Sequence, residues 1–513
     1  MNDFIMGAYF ISLTILFAFG STGFVMMFYY LKHRKTRTPD VSELKEFPVV
    51  TIQLPIYNEQ YVIRRLLHAV CNLAYLPENL EIQILDDSTD ETTAIVAETV
   101  EEYRAKGIDL QHIRRANRVG YKAGALKEGL KTARGEFIAI FDADFVPKPD
   151  FLLKTLPHLV AAPRVGMVQT RWEHLNSDYS FLTRAQAMAL DGHFVIEQNV
   201  RYKAGFFINF NGTGGVWRKE CILDAGNWAA DTLTEDLDLS YRAQLRGWKF
   251  VFLNNVTSPA ELPSEVNALK SQQFRWTKGA IETARKILPL VWRSQLPLEK
   301  KIHSTFHLTN NIVFPFIVLA GILNVPLVFI KHQGGYETYF AIMAMFVFAF
   351  VGLFLCYLYS QKEVYEDWQR RMFLFPLFMA GSMGFSLNNS IAVVHGLLRK
   401  PSEFVRTPKY QIVDKNGSWV DKKYSSAKIS ASVVVEAMLA LYCLFGVGAS
   451  IYFLELSAVP FQLMFSAGYG LVAFLSIKHV WETRKLRPPA PLKELAVDSG
   501  AISLATVEPI RQL

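Results

Sequence analysis

Asp142 and Asp144 stand one residue apart at the end of an apolar run, in IAIFDADFVPKPDF (138–151). A carboxylate is costly to bury without a partner, so these acids are expected to meet a cation or a polar ligand. Two aspartates at i and i+2, flanking the small Ala143, can present oxygens to one hard cation at a strand end. Mg2+ is typically held by one or two carboxylates plus substrate phosphates, and the pair therefore reads as a metal–diphosphate site. Capping of a following helix is the competing role, but Pro147 and Pro149 delay any helix there. Capping suits Asp90 better, and extends to Asp87. Further polar candidates are Tyr57, Asn58 and Glu59, Asp86 and Asp87, Glu235 and Asp236 in TLTEDLDL (232–239), and Gln272, Gln273, Arg275 and Trp276 in QQFRW (272–276). Taken alone, Glu235, Asp236 and Asp238 would be ordinary acids in a turn before a helix. Trp276 alone would be an aromatic at a membrane interface.

Several of these groups need strands to position them. Apolar, β-branched runs lie at PVVTIQLP (48–55), EIQILD (81–86), DLQHIRR (109–115) and EFIAIFDAD (136–144). Helix-like stretches separate them, and strand–helix alternation predicts a parallel, doubly wound sheet. Tyr57–Glu59, Asp86–Asp87 and Asp142–Asp144 then fall at strand C-terminal ends, the edge where open α/β sheets bind ligands. No GxGxxG follows a strand and no GxxxxGK[ST] occurs, so neither a dinucleotide site nor a P-loop is indicated.

The 513 residues exceed one ordinary compact domain. Hydrophobic residues make up 51% and crowd into 4–31 and again after 308, which predicts a soluble α/β unit built into a membrane protein. The net charge is +7, but the basic residues cluster beside apolar segments, as in LKHRKTR (31–37) and KHVWETRKLR (478–487). Topology and lipid phosphates account for that pattern better than nucleic acid does. Cysteines 71, 221, 356 and 443 lie far apart with no CxxC, which suggests neither a zinc site nor a disulfide framework. His193, His303 and His307 have no ligand spacing and receive no role.

The first apolar stretch exceeds the ~20 residues a bilayer needs and lacks a short h-region and a cleavage site, so it reads as a retained helix. The basic run after it places residues 32–307 in the cytosol and the N-terminus outside. Further spans are expected at about 308–331, 337–360, 431–455 and 459–480. Residues 372–397 are long enough to cross but carry Pro376, Gly381, Gly384, Asn388, Asn389 and His395. Crossing there would put the basic stretch 398–429, with Arg399, Lys400, Arg406, Lys409, Lys415, Lys422, Lys423 and Lys428, outside. An interfacial or re-entrant segment and five spans are therefore expected. The alternative is a sixth span that breaks the charge rule.

ILDDS (84–88), FDADF (141–145), TLTEDLDL and QQFRW follow one another in this order. The set resembles the processive family-2 glycosyltransferases of the cellulose-synthase-like group. RVGYKAGAL (118–126), FNGTGGVWRKECI (210–222) and LRGWKF (245–250) are similar to its mannan- and glucan-synthase-like branch. The likeness covers about 48–300 by motif and extends to 480 by membrane layout. It implies an α/β, GT-A Rossmann-like cytosolic domain (33–307) inserted between an N-terminal transmembrane helix (1–32) and a C-terminal α-helical transmembrane bundle (308–480), with a cytosolic tail (481–513).

By this resemblance Asp86 and Asp87 contact the nucleotide base and ribose. Asp142 and Asp144 hold the diphosphate through Mg2+ or Mn2+, and Asp236 is the general base beside Glu235. Gln272, Gln273, Arg275 and Trp276 grip the diphosphate and line the acceptor end of the glycan. Lys122, Tyr57 and Glu59 join the donor site, and Asn211, Gly212 and Thr213 lie near the acceptor terminus. SEFVRTPKYQI (402–412) resembles the gating loop of cellulose synthase, with Phe404, Arg406, Thr407 and Lys409 in comparable places, although it reads FVRTPK. A basic membrane-surface loop is the alternative reading of 398–429.

The implied activity is an inverting, processive hexosyltransferase in the plasma (inner) membrane. It would take UDP-glucose or GDP-mannose, extend a β-linked glucan or mannan, and move the chain across the bilayer. Accessory export proteins are expected partners, and any regulator would be another chain because the tail is too short for a regulatory domain. The alternatives are a non-processive transferase acting on a lipid acceptor and a non-catalytic glycan channel subunit.

Overall fold

The β-branched runs form β1 (Val50–Ile56), β2 (Leu80–Asp86), β3 (Asp109–Arg114) and β4 (Phe137–Ile140) in a computed structural model that describes residues 1–36, 41–402, 404–414, 417–420, 422–424 and 429–486. Arg37, Lys415, Lys428 and the tail from residue 487 onward lie outside the described residues. β1 pairs in parallel with β2 and β4, and β2 with β3. Val50, Ile52 and Leu54 face one side of the sheet and are fully buried. Thr51 and Gln53 face the other and are also buried: Thr51 Oγ1 donates to Glu81 and Gln53 Nε2 to Gln83 Oε1, both on the neighbouring strand.

The expectation of a parallel sheet holds for this half only. Among the described residues the sheet has seven strands in the order β3-β2-β1-β4-β6-β5-β7, adding β5 (Val165–His174), β6 (Gly215–Arg218) and β7 (Lys249–Ala260). β6 is antiparallel to both β4 and β5, while β5 and β7 are parallel. The sheet is therefore mixed. A strand of four residues, GVWR, carries too little alternation to announce itself or its direction. That reversal has a consequence for the site. The N-terminal end of β6 lies at the C-terminal end of β4, so Asn211–Thr213 arrive beside Asp142.

Helices cover both faces of the sheet. Leu66, Val96 and Phe151 belong to one buried cluster, and Leu126, Phe210, Trp217 and Leu239 to the other.

Among the described residues five helices are long and apolar enough to cross a membrane, spanning Asn2–His33, Leu298–Gln333, Glu337–Val364, Ala431–Tyr452 and Leu456–Lys485. Phe375–Gly384 and Ser386–Leu397 form a pair bent by 43°. One end of the pair follows Arg371, which lies 3.8 Å from Asp178 of the α/β domain. At the other end Arg285 donates to the carbonyls of Gly396 and Leu397, at 3.0 Å each. Backbones touch where the pair meets the last span: a Cβ on Gly468 would stand 2.0 Å from the Ala380 oxygen, and one on Gly384 2.2 Å from the Gly468 oxygen. Small residues permit such close helix approach in membranes.

Candidate active site

Because β1, β2 and β4 run parallel, their C-terminal ends share one edge and deliver Tyr57–Glu59, Asp86–Asp87 and Asp142–Asp144 to it. A cavity of about 600 Å3 opens there. Tyr57, Glu59, Asp87, Lys122, Asp142, Asp144, Asn211, Gly212, Glu235, Asp236, Gln272, Gln273, Arg275 and Trp276 all line it. Asp86 and Thr213 do not, and each supports a neighbour instead. Asp86 is buried, accepts from the Ser88 N–H at 2.8 Å and meets His112 Nε2 at 2.9 Å, which fixes the turn that presents Asp87. Thr213 Oγ1 accepts from the Asp142 N–H at 2.9 Å. Asp87 is gripped through both carboxylate oxygens by Arg115.

Each acid of the DxD pair meets an ammonium group. Lys122 Nζ lies 2.5 Å from Asp142 Oδ1 and donates to the Gly212 carbonyl at 2.9 Å. Lys409 Nζ lies 2.6 Å from Asp144 Oδ2. Burial opposes the charge of Lys122, but Asp142, Glu235 and Asp236 hold its pKa above the usual lysine value.

Glu235 and Asp236 open the helix Glu235–Leu245. Asp236 packs against Gly212, where a Cβ would lie 3.0 Å from Asp236 Oδ2 and where φ is +83°; both the space and the left-handed backbone call for glycine. Burial, then the adjacent Glu235 carboxylate, push the Asp236 carboxyl up to about 7. Burial likewise raises Glu235, and pushes Glu59 up to about 8 against the pull of Arg406.

The helix Val266–Arg293 brings Gln272, Gln273, Arg275 and Trp276. Burial disfavours the Arg275 charge, and Glu235 and Asp142 support it. Its guanidinium lies 4.4 Å from the Phe404 ring centroid and donates to the Val405 carbonyl at 3.1 Å. The described part of the 402–412 loop thus closes over the site. Phe404, Arg406, Thr407 and Lys409 all line the cavity, and Arg406 Nε lies 3.3 Å from Glu59 Oε1. Away from the acids the cavity continues among the membrane helices, past His307, Asn310, Asn311, Phe314, Phe378 and Asn389.

Residues 48–279 match the family described as Glycosyltransferase like family 2. Glucomannan 4-beta-mannosyltransferase 1 of Cyamopsis tetragonoloba is 35% identical over 458 residues, which cover 83% of this chain and 82% of that protein. The chain belongs to glycosyltransferase family 2. Glucomannan 4-beta-mannosyltransferase 2 of Arabidopsis thaliana is 45% identical over 262 residues, 50% of this chain and 49% of that protein. Against this and several similar relatives the family-2 chain spans about half their length. Mannosyltransferase PcManGT from Pyrobaculum calidifontis, solved in complex with GDP-Man and Mn2+, shares the fold, with a TM-score of 0.53 at 20% identity over 76% of this chain and 100% of that one.

In this family-2 glycosyltransferase no three His, Cys, Asp or Glu side chains gather as a metal group among the described residues. Asp142 and Asp144 supply two hard oxygen donors at the cavity wall. They fit a cation that completes its shell with substrate phosphate and water, not a closed protein cage.

Sequence reasoning passed over two residues of the glycosyltransferase site. His193 lines the cavity with Nε2 3.2 Å from Asn211 Nδ2 and Nδ1 3.4 Å from Glu197 Oε2. It sits in a π-helical stretch, Gly192–Gln198, a feature frequent at functional sites but without a spacing signature. Arg118 heads the RVGYKAGAL motif and lies over Tyr57, with its guanidinium carbon 3.3 Å from the ring centroid.

Proposed function

We propose that this family-2 glycosyltransferase is a membrane-embedded, inverting synthase that extends a β-linked mannan-type polysaccharide from GDP-mannose and passes it into the membrane bundle. The observation that carries this reading is continuity: the cavity holding Asp142, Asp144, Asp236 and Arg275 runs on between membrane helices at Asn310, Asn311 and Phe314. A polar polymer needs such a path, because hydrocarbon offers its hydroxyls no partners. The relatives' shared name, glucomannan 4-beta-mannosyltransferase, favours mannose over the UDP-glucose alternative and a 4-hydroxyl acceptor.

A sugar hydroxyl is a weak nucleophile at neutral pH. Asp236 takes its proton as the new C1–O bond forms, and a positioned carboxylate contributes roughly 10²–10⁴ in rate. The bond from C1 to the diphosphate breaks on the opposite face, so an α-linked donor yields a β-linked product. Charge gathers on the departing diphosphate, where Arg275 and Lys122 stabilise it in the transition state more than in the ground state. A divalent cation, Mg2+ or Mn2+, held by Asp142 and Asp144 would add Lewis-acid stabilisation to the same oxygens. Trp276 offers a ring face to the apolar face of a pyranose.

The site is assigned to the cytosolic side of the plasma membrane on charge: the basic run after the first helix supports it. Incubation of the purified chain with radiolabelled GDP-mannose and Mn2+ tests the function. The expected product is a polymer cleaved by an endo-β-mannanase and reduced to a trace for Asp236→Asn. A single-sugar product would make the enzyme non-processive, and no release of nucleoside diphosphate would return it to an inert channel subunit.

A further inference from the structure

The cations around the cavity are mostly spoken for. Arg115 holds Asp87, Lys122 holds Asp142, Arg275 donates to Val405, Arg406 meets Glu59 and Lys409 meets Asp144. Arg118 differs. Its guanidinium lines the cavity and makes no hydrogen bond or ion pair among the described residues, and its Nε is buried without a partner. An unpaired buried donor costs stability. The side chain is nevertheless held in place: the guanidinium carbon sits 3.3 Å from the Tyr57 ring centroid and 5.0 Å from that of Tyr121. Tyr121 itself has φ +47°, uncommon for a bulky residue, so the loop that presents Arg118 is kept in a strained form.

Stacking on a tyrosine leaves the planar edge of the guanidinium free, with donors in a fixed fork. That fork matches two adjacent acceptors. Guanine offers O6 and N7 side by side, whereas adenine offers an acceptor next to a donor. Uracil places an N–H donor between its two carbonyls. Asp87 is held through both its oxygens by Arg115 and makes no hydrogen bond or ion pair with Arg118 among the described residues.

We propose that Arg118, stacked on Tyr57, reads the O6/N7 edge of a guanine base and so selects a guanosine diphosphate sugar over a uridine one. This rests on the reading of the cavity as a nucleotide-sugar site and names the residue that sets its base specificity. Arg118 is a substrate-binding residue that leaves the transfer chemistry to Asp236.

The test uses the purified full chain in detergent with GDP, UDP and 7-deaza-GDP, which keeps O6 and lacks N7, binding being measured by calorimetry. Wild type is expected to bind GDP more tightly than UDP, and 7-deaza-GDP more weakly than GDP. Arg118→Lys keeps the charge but loses the fork. It should weaken GDP by roughly 5–150-fold, the worth of one bidentate pair, leave UDP nearly unchanged, and abolish the difference between GDP and 7-deaza-GDP. Equal weakening of GDP and UDP would assign Arg118 to the diphosphate and overturn the proposal, as would wild-type binding of 7-deaza-GDP equal to that of GDP, a result independent of how the variant folds. A wild-type preference for UDP overturns the guanine assignment while leaving the transferase standing. Binding of none of these nucleotides overturns the nucleotide-sugar reading itself.

Discussion

Lys409 and Asp144 are 265 positions apart in sequence and 2.6 Å apart in space. The lysine belongs to the loop that follows the bent helix pair, and the aspartate ends the run leaving β4 at the centre of the sheet. Lys409 also donates to the Glu261 carbonyl at 2.8 Å, and Glu261 accepts the Tyr410 N–H at 2.8 Å. The ammonium and carboxylate are only 9% and 13% exposed, so solvent screens the contact little. A hydrogen bond to a charged group of this kind contributes about 1.5–3 kcal/mol. Lys409→Met should therefore raise the open population of the loop by about 10–100-fold, seen as faster amide hydrogen exchange over residues 404–412. It should also free Asp144 for a cation, raising Mn2+ affinity as measured by electron paramagnetic resonance. Unchanged exchange would mean that other contacts hold the loop.

With Asp236 as the proposed base, its raised carboxyl should set the pH dependence of transfer. A general base works deprotonated, so kcat/KM should rise with pH through about 7 and then level off. Below that point the proton stays on Asp236 and activity falls. Glu235→Gln removes the like charge beside it and should move the acid limb to lower pH. Asp236→Asn should retain donor binding while losing roughly 10²–10⁴ in rate. A variant with near-normal turnover would remove Asp236 from the role of base.

Lys270 and Glu436 bind the helix Val266–Arg293 to the membrane bundle. Lys270 Nζ lies 2.7 Å from Glu436 Oε2 and 3.0 Å from Ser476 Oγ, and both charged side chains are buried. Breaking a buried pair from one side leaves an uncompensated charge and costs about 3–5 kcal/mol. Glu436→Gln should thus lower the thermal midpoint sharply. The double variant Lys270→Met with Glu436→Leu should recover most of the loss. A double-mutant cycle with no coupling would show that the pair contributes nothing specific.

Part of the fold could be read from residue type alone. The β-branched runs specified β1 to β4, and their shared edge brought Asp142, Asp144, Asp87 and Tyr57 together. The order of motifs added Asp236 and Arg275 from distant segments. What stayed hidden depends on three-dimensional neighbours. Asp86 and Asp87 look alike in sequence, yet one faces inward to His112 and the other lines the cavity, because adjacent residues leaving a strand point to opposite sides. The direction of β6 was invisible in four residues. His193 owes its place to a π-helical turn, and Arg118 to an aromatic ring brought from another strand end. Neither circumstance leaves a periodic trace.

Contacts at both ends of the bent pair bear on membrane topology. Gln361, near the end of the span Glu337–Val364, donates to Asp191 of the α/β domain at 3.1 Å, so that span finishes on the domain's side. The chain then passes Arg371, close to Asp178, and enters Phe375–Gly384. It leaves Ser386–Leu397 beside Arg285, and Lys278 donates to the Lys400 carbonyl at 2.6 Å before Lys409 reaches Asp144. Entry and exit share one face, which argues for a re-entrant or interfacial pair and five spans. In a Cys71→Ser background, an impermeant maleimide should then label Glu366→Cys and Pro401→Cys from the side of the active site, and Gln333→Cys and Leu456→Cys from the opposite side. Native Cys221, Cys356 and Cys443 are buried and should stay silent. Labelling of Pro401→Cys from the same side as Gln333→Cys would make the pair a sixth span, and the loop could not then reach Asp144.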